Sequence, residues 1–516
     1  MNVIVGGGVV GLSIAWRLAR EGLPVTVVDP APGRGASYAA AGMLAPVSEV
    51  AYTEEPLLRL GAASLSRWPS FAAELAADAG LGPDLSAGRS AGLSAGRSAG
   101  LSASLGPGLG AGLGGGAGTR SREAFGGTFG MIGPEGAAGR ALDLRADGTL
   151  DVAFGADDLA ALDDLAAFMD KLGLRVERLT GRECRRLEPM LAPSVRGGLL
   201  APGDAWVDPR RVTAALLAAL DRLGVPVVRA RVTRLLRDGD TAPGVVTGAG
   251  IGAGTGGGTG GAAGAAAGAV TGVRLEPVPG QPEPAVREIA AERVVLAAGA
   301  WSGELADVPV RPVKGQIMRL RSPQPLLGRC VRGMVHGAPV YLVPRGDGEL
   351  VLGATQEELG FDTRVTAGGL YELLRDAREL VPGVTELEVA DVVAGLRPGT
   401  PDNLPIIGTG EVPGLVLATG HHRGGVLLAP LTAALVTAAV TTPATTPATT
   451  PVTTTAPPQA PSTAALATAR TTTQTATQTA AQTAAQAGLS TGAGILTGEE
   501  GELAALCSPA RFRDIS

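Results

Sequence analysis

The sequence predicts an α/β fold, α+β overall, in two domains, and three observations predict it. The first 29 residues read strand, glycine turn, helix, strand. Further strand-like and helix-like runs follow, among them "RVTRLLRDGD" (231–240), "GVRLEP" (272–277) and "GVLLAPLTAALVTAAV" (425–440). Three long segments have too little bulky apolar surface to offset chain entropy, and without them about 380 of the 516 residues remain, a length that suits two domains.

Composition narrows the function. The net charge is −6, so no basic surface invites nucleic acid or anionic lipid. Cys184, Cys330 and Cys507 are odd in number and far apart. They form neither a disulfide framework nor a metal pair and fit a reducing compartment. No basic region precedes the apolar run at Val3, so no signal peptide is expected. The apolar run at 425–440 contains Pro430 and threonines and reads as a buried helix, not a membrane span. A cytoplasmic location is expected.

The three weak segments are 85–140, 241–272 and 441–490. The first opens with "LSAGRSAG" twice, the second is Gly- and Ala-rich, and the third is Thr-, Ala-, Pro- and Gln-rich. All three read as disordered low-complexity insertions. The second sits at an overgrown hairpin tip between the strand-like runs at 231–240 and 272–277. Loop lengthening costs entropy only logarithmically, so such insertions are tolerated.

The N-terminal unit carries the first chemistry. Gly6, Gly8 and Gly11 have G-x-G-x-x-G spacing between a short buried strand and an amphipathic helix, and Asp29 ends the second strand. Gly6 permits the turn, Gly8 admits a pyrophosphate to the backbone, and Gly11 lets helix and strand pack closely. The helix N-terminus offers free N–H groups to phosphate, and Asp29 can accept from ribose hydroxyls. A purely structural glycine turn is the alternative. The small residues Ala39–Gly42 let backbone come close to something large and flat, and Ser37 can donate to phosphate. A tight loop packing on its own sheet would read the same way.

The motifs GGGVVG (6–11), Asp29, "AAAGMLAP" (39–46), "VVLAAGAWS" (294–302), "VKGQ" (313–316), "VYLVPRGDGELVLGAT" (340–355), "GLRPGTPDNLPIIG" (395–408) and "GHHRGGVLLAP" (420–430) together resemble the FAD-dependent D-amino-acid oxidase family, in particular its glycine-oxidising branch. The resemblance implies a discontinuous, FAD-binding Rossmann-like domain (1–84, 184–309, 395–440 and 491–516). It also implies a second, antiparallel-sheet substrate domain (145–183 and 310–394). The implied FAD contacts are Gly6, Gly8, Val9, Val10, Gly11, Asp29, Ser37, Ala41, Gly42, Met43 and Val232. A second group runs through His421, His422, Arg423, Gly424, Gly425, Val426 and Leu427. The implied partners are a small amino-acid substrate and O2, with no nucleic acid and no membrane; a homo-oligomer is left open.

Oxidising an amino acid at Cα needs orientation more than acid–base help. A carboxylate is best oriented by a bidentate arginine. Arg397, after the strand-like "LEVADVVAGL", matches the family's carboxylate-binding arginine; composition alone would read it as a solvated strand exit. Tyr341 and Arg423 match groups on the substrate side, against readings as a sheet-face tyrosine and a loop anchor. No catalytic acid or base is expected. The pair His421 and His422 is assigned to loop geometry, not to a metal site. Gln356 and Pro339 stand where the resemblance leads one to expect methionine and histidine, which leaves substrate preference open. The implied reaction converts glycine, sarcosine or a D-amino acid to a 2-oxo acid, ammonia and peroxide, and would feed thiazole synthesis for thiamine. The alternatives are a D-amino-acid dehydrogenase passing electrons to a quinone or carrier, and a non-catalytic flavin-binding module.

Overall fold

The computed structural model describes residues 1–49, 54–81, 137–240, 268–441 and 498–512. The readings of 85–140, 241–272 and 441–490 as disordered fall mostly outside these residues. Their edges are corrected where the chain is described. Ala137–Leu142 is helical and Val270–Glu276 is a strand. The reason is burial: Leu142 and Val273 are fully enclosed, and Val270 nearly so. Thr441, assigned to the third insertion, is the last residue of the helix Ala429–Thr441.

Short strands rich in valine and isoleucine build the first layer. Six run in the order Ile406–Thr409, Leu415–Thr419, Arg293–Leu296, Asn2–Val5, Val25–Val28, Val227–Val228. All neighbours are parallel except the first pair, which is antiparallel. Asn2–Val5 lies in the middle and is buried along its whole length, as a parallel strand covered on both faces must be. The helix Val9–Arg20 follows it at once and buries Leu12, Ile14, Ala15, Trp16 and Leu18. The expected hairpin exists: Arg231–Arg237 pairs antiparallel with Val270–Glu276, and Glu288–Ala290 adds a third strand.

The second layer is an eight-stranded sheet. Its order is Glu388–Gly399, Arg311–Arg321, Glu349–Gly353, Ala338–Pro344, Cys330–Val335, Thr149–Ala153, Gly197–Ala201, Glu177–Thr180. It differs from the expectation in two ways. Thr149–Ala153 and Cys330–Val335 are parallel, which breaks an otherwise antiparallel ladder. Gly197–Ala201 joins this sheet between Thr149–Ala153 and Glu177–Thr180, although sequence reading grouped it with the nucleotide-binding segments. Its glycines explain the placement. A β-carbon on Gly198 would meet the Asp151 carbonyl and the Cys184 sulfur, so only a bare backbone fits that position.

An aromatic cluster fixes the loop that faces the cleft between the two sheets. Trp16 and Trp68 each meet Phe71 edge-on, with centroids 5.1 and 5.2 Å apart. Trp68 Nε1 donates to the Leu427 carbonyl at 3.0 Å, and Ser64 Oγ donates to the same oxygen at 2.6 Å. The helices Glu55–Leu65 and Trp68–Asp78 thereby hold the turn that leads into Ala429–Thr441. Cys184, Cys330 and Cys507 are buried and unpaired. Among the described residues no helix is long and apolar enough to cross a membrane.

Trp68→Ala removes a fully buried ring and one of the two donors to the Leu427 carbonyl. Unfolding by denaturant should show a loss of about 3–5 kcal/mol. A loss under about 1 kcal/mol would mean that the cluster is not the anchor described.

Candidate active site

A cavity of about 840 Å³ opens between the two sheets. That volume lies in the upper part of the ~300–1,000 Å³ range of small-molecule and cofactor sites. One wall is the glycine turn and the small-residue segment 39–43; the other is the face of the eight-stranded sheet.

The first wall is built by close backbone approach. Gly6 has φ +112°, and a β-carbon there would overlap the Ala297 carbonyl. A β-carbon on Gly11 would overlap the Gly6 carbonyl, and one on Gly42 the Val207 carbonyl. The helix that begins at Val9 has no capping side chain of its own. Ser37 supplies one from another segment, its Oγ accepting from Val9 N at 2.9 Å, which leaves its hydroxyl proton free to donate. Asp29 accepts from Gly7 N at 2.6 Å and from Ala31 N at 2.7 Å. Burial raises its pKa and those two bonds oppose the rise. Each carboxylate oxygen keeps a lone pair for a ribose hydroxyl.

Gly6, Gly8, Val9, Val10, Asp29, Ser37, Ala41, Gly42, Met43 and Val232 all line this cavity, as do His421, His422, Arg423, Gly425 and Val426. Gly11, Gly424 and Leu427 do not. Gly11 and Gly424 pack beneath the wall against Gly6 and Leu428, and the Leu427 carbonyl holds the aromatic cluster.

Burial keeps His421 and His422 neutral. His421 Nε2 bonds Thr432 Oγ1 at 2.9 Å, and burial pushes its pKa down to about 3. His422 falls to about 4, by burial first and then by Arg423 and Arg397. It sits at φ +45°, with Nδ1 buried and without a hydrogen-bond partner among the described residues. Neither ring is a base at neutral pH. Among the described residues no group of three or more His, Cys, Asp or Glu could hold a metal ion.

The second wall is set by strand register. Arg332 lies directly opposite both Asp151 and Tyr341 on neighbouring strands, and Tyr341 lies opposite Gly353. This row places a carboxylate, a guanidinium and a phenol side by side on one face. Gly353 leaves room for the Tyr341 ring, and Gly315 leaves room for the Arg397 guanidinium. Arg397 Nη1 donates to the Thr355 carbonyl at 3.1 Å and, more weakly, to that of Lys314 at 3.4 Å, which fixes the guanidinium plane beside the cavity. Burial pushes the Tyr341 phenol up to about 12 against the opposing effect of Arg397, so it stays protonated and can donate. Arg423 is engaged with the Glu54 carboxylate and the Glu49 carbonyl. Lys314 is fully buried and pairs with Glu357 at 3.1 Å, a structural role.

Sequence reasoning missed Glu49, Asp151, Asp204 and Arg332. Arg332 contacts the Ser48 carbonyl and lies 3.6 Å from Asp151. Burial works against its charge, but Asp151 and Glu49 outweigh it and raise its pKa further. Asp204 is fully buried and accepts from Val47 N at 3.2 Å, Ser48 N at 3.1 Å and Ser48 Oγ at 2.6 Å. Burial pushes it up to about 7 despite these bonds. Glu49 had a signal, since it follows AAAGMLAP by three residues; Arg332 and Asp204 had none. Pro339 and Gln356, the two departures noted in the sequence, both line the cavity.

A glycine turn at the N-terminus of a helix, a bare backbone segment beside it and an arginine-bearing sheet across the gap define a dinucleotide-dependent oxidoreductase of two-layer construction. The chain belongs to the FAD dependent oxidoreductase family, whose model matches residues 2–84 and 132–439. It is 31% identical over 434 residues to the bifunctional protein ThiO/ThiG of Trichormus variabilis, covering 84% of this chain and 51% of that one. The chain thus spans about half the length of the ThiO/ThiG relatives it matches. It is 29% identical over 437 residues to glycine oxidase of Geobacillus kaustophilus, covering 83% and 89%. The crystal structure of that glycine oxidase superposes with TM-score 0.62 at 28% identity, covering 85% of this chain and 94% of the other.

The residues present fit FAD. A β-carbon on Gly6 or Gly42, both of which line the cavity, would collide with main chain, so the wall there is bare backbone, and His422, another lining residue, has a buried Nδ1 without a hydrogen-bond partner among the described residues. The glycine turn and Ser37 would hold the phosphates, Asp29 the ribose, and 39–43 with 421–426 the ring system.

Two outcomes follow. Folding raises the pKa of Asp204 from 3.8 to about 7, so its contribution to stability is full below about pH 4 and is lost as pH rises through about 7. The stability of Asp204→Asn relative to wild type should therefore rise between pH 5 and 8; a flat difference in denaturation midpoints counts against this. Gly315→Ala should displace the Arg397 guanidinium and raise KM about tenfold or more while the bound-flavin spectrum is unchanged. An unaltered KM would show that the groove over Gly315 does not set the arginine.

Proposed function

We propose that this chain is an amino-acid oxidase that uses FAD and O2 to convert glycine, or a similar small amine such as sarcosine or a D-amino acid, to a 2-oxo acid, ammonia and hydrogen peroxide. We propose in addition a cytoplasmic location and a role in thiazole synthesis for thiamine. The observation that carries the reading is Arg397. Its plane is fixed by the Thr355 carbonyl, and it lies beside Tyr341 on the cavity wall facing the glycine turn. The names of the relatives, glycine oxidase and ThiO/ThiG, support the choice of substrate class and pathway.

In this reading Arg397 grips the substrate carboxylate in bidentate fashion, and the protonated Tyr341 donates a hydrogen bond to it. Arg423, tied to Glu54, closes the side of the cavity. The neutral His421 and His422 hold the turn and move no proton. When bound, FAD supplies the two-electron acceptor. The protein's work is to orient Cα and to exclude water; the imine product then hydrolyses. The residues above, and the division into a nucleotide-binding and a substrate domain, are parts of this proposal.

Purified holoenzyme mixed anaerobically with glycine should lose its flavin colour, and in air it should release peroxide. Absence of bleaching with glycine, sarcosine and D-alanine alike would defeat the reading; dye reduction without peroxide would point instead to a dehydrogenase. Arg397→Ala leaves the carboxylate without its partner, at a cost of about 3–5 kcal/mol, so kcat/KM should fall roughly 10²–10⁴-fold with the flavin spectrum intact.

A further inference from the structure

Glu49 is held in place from several sides, yet its carboxylate is unused. Its N–H donates to the Ala45 carbonyl at 3.1 Å, and its carbonyl accepts from Arg423 at 3.1 Å. The preceding Ser48 is clamped by Asp204, and the Ser48 carbonyl is held by Arg332. Among the described residues the Glu49 carboxylate oxygens make no hydrogen bond and no ion pair, although the residue lines the same cavity as Arg397, Tyr341 and Arg332. These bonds hold the Glu49 backbone at the cavity wall; its half-buried carboxylate has no direct partner among the described residues, and a bound cation would offset the cost of its burial.

The surrounding charges say which kind of cation. Burial raises the Glu49 pKa most; Arg332, Arg423 and Arg397 work against that rise at longer range, in that order, and Asp151 adds to it. Each of these arginines already has a direct partner. Arg332 has Asp151 and the Ser48 carbonyl, Arg423 has Glu54 and the Glu49 carbonyl, and Arg397 has the Thr355 carbonyl. The cavity therefore presents a guanidinium at one place and an unpaired carboxylate at another. A small zwitterion has the matching pair of charges.

We propose that Glu49 receives the amino group of the substrate, so that the cavity reads both ends of an amino acid: the carboxylate at Arg397 and the ammonium at Glu49. This rests on the amino-acid oxidase reading given above. Glu49 is then a specificity-determining residue. It favours amino acids over acids of equal size and shape without the amine, because those leave its charge unpaired beside an apolar group. No covalent bond is made or broken at Glu49 in this role: it pairs with the arriving ammonium, which gives up one proton to solvent before Cα is oxidised.

The test uses ligands that cannot be oxidised at Cα. 2-Aminoisobutyrate has no Cα hydrogen, and pivalate has the same shape with methyl in place of ammonium. Calorimetric titration of the wild-type holoenzyme should give at least tenfold tighter binding of 2-aminoisobutyrate, about 1.4 kcal/mol. Glu49→Gln should lose that preference while binding pivalate as well as or better than wild type. Its KM for glycine should rise about tenfold or more, with flavin content unchanged. Glu49→Asp, which keeps the charge on a shorter arm, should keep part of the preference and serves if the glutamine variant does not fold. A variant that retains both the ligand preference and the glycine KM overturns the proposal. If 2-aminoisobutyrate proves too large to bind wild type, the glycine KM alone decides. A wild-type enzyme that selects 2-aminoisobutyrate through Glu49 but is bleached by no amino acid leaves this site standing and removes the oxidase reading instead.

Discussion

The carbonyl oxygen of Gly6 lies where a β-carbon on Gly11 would have to be. The rest of the structure depends on this close approach of bare main chain. It sets the helix Val9–Arg20 tightly on the strand Asn2–Val5 and so brings the helix N-terminus to the floor of the cavity. The same device recurs at Gly42 against the Val207 carbonyl, and there it fixes the small-residue segment along the wall. A cofactor that must lie flat along the protein needs such surfaces, because side chains would hold it off.

Across the cavity the logic is reversed: the eight-stranded sheet presents charge. Register alone brings Asp151, Arg332 and Tyr341 into one row, and glycines at 315 and 353 make room for the Arg397 guanidinium and the Tyr341 ring. Buried charges are costly unless paired, and here they are held by chains of partners. Asp204 holds Ser48, the Ser48 carbonyl holds Arg332, and Arg332 faces Asp151. This series of contacts leads to Glu49, whose carboxylate has no partner of its own among the described residues. The two walls thus differ in kind: one is a surface of bare main chain, the other a row of buried charges.

Much of the first wall was legible in the sequence because its parts are contiguous. A strand, a glycine turn and a helix within 29 residues carry their own geometry, and Asp29 lies at the end of the next strand. The turn 421–426 was found through its motif, although Leu427 and Gly424 serve packing and do not line the cavity. The second wall was legible only at Arg397, Tyr341 and Arg423. Arg332 reads as any charged residue in a strand, and Asp204 as any acid in a turn. Each acquires meaning from a partner more than a hundred residues away. The pairing of Gly197–Ala201 with Thr149–Ala153 and Glu177–Thr180 was not legible for the same reason, since strand order in a mixed sheet follows from long-range pairing.

The sequence by itself determined the nucleotide-binding unit, the hairpin, the buried late helix and the arginine at position 397 that the structure sets on the cavity wall. These depend on local backbone freedom, on hydrophobic period and on short motifs, all of which act within a few turns of chain. Only the tertiary structure decided which charges are neighbours, which histidines burial keeps neutral and which carboxylate has no partner among the described residues. Those properties arise from burial and cross-strand register, and both exist only once distant segments have closed over one cavity.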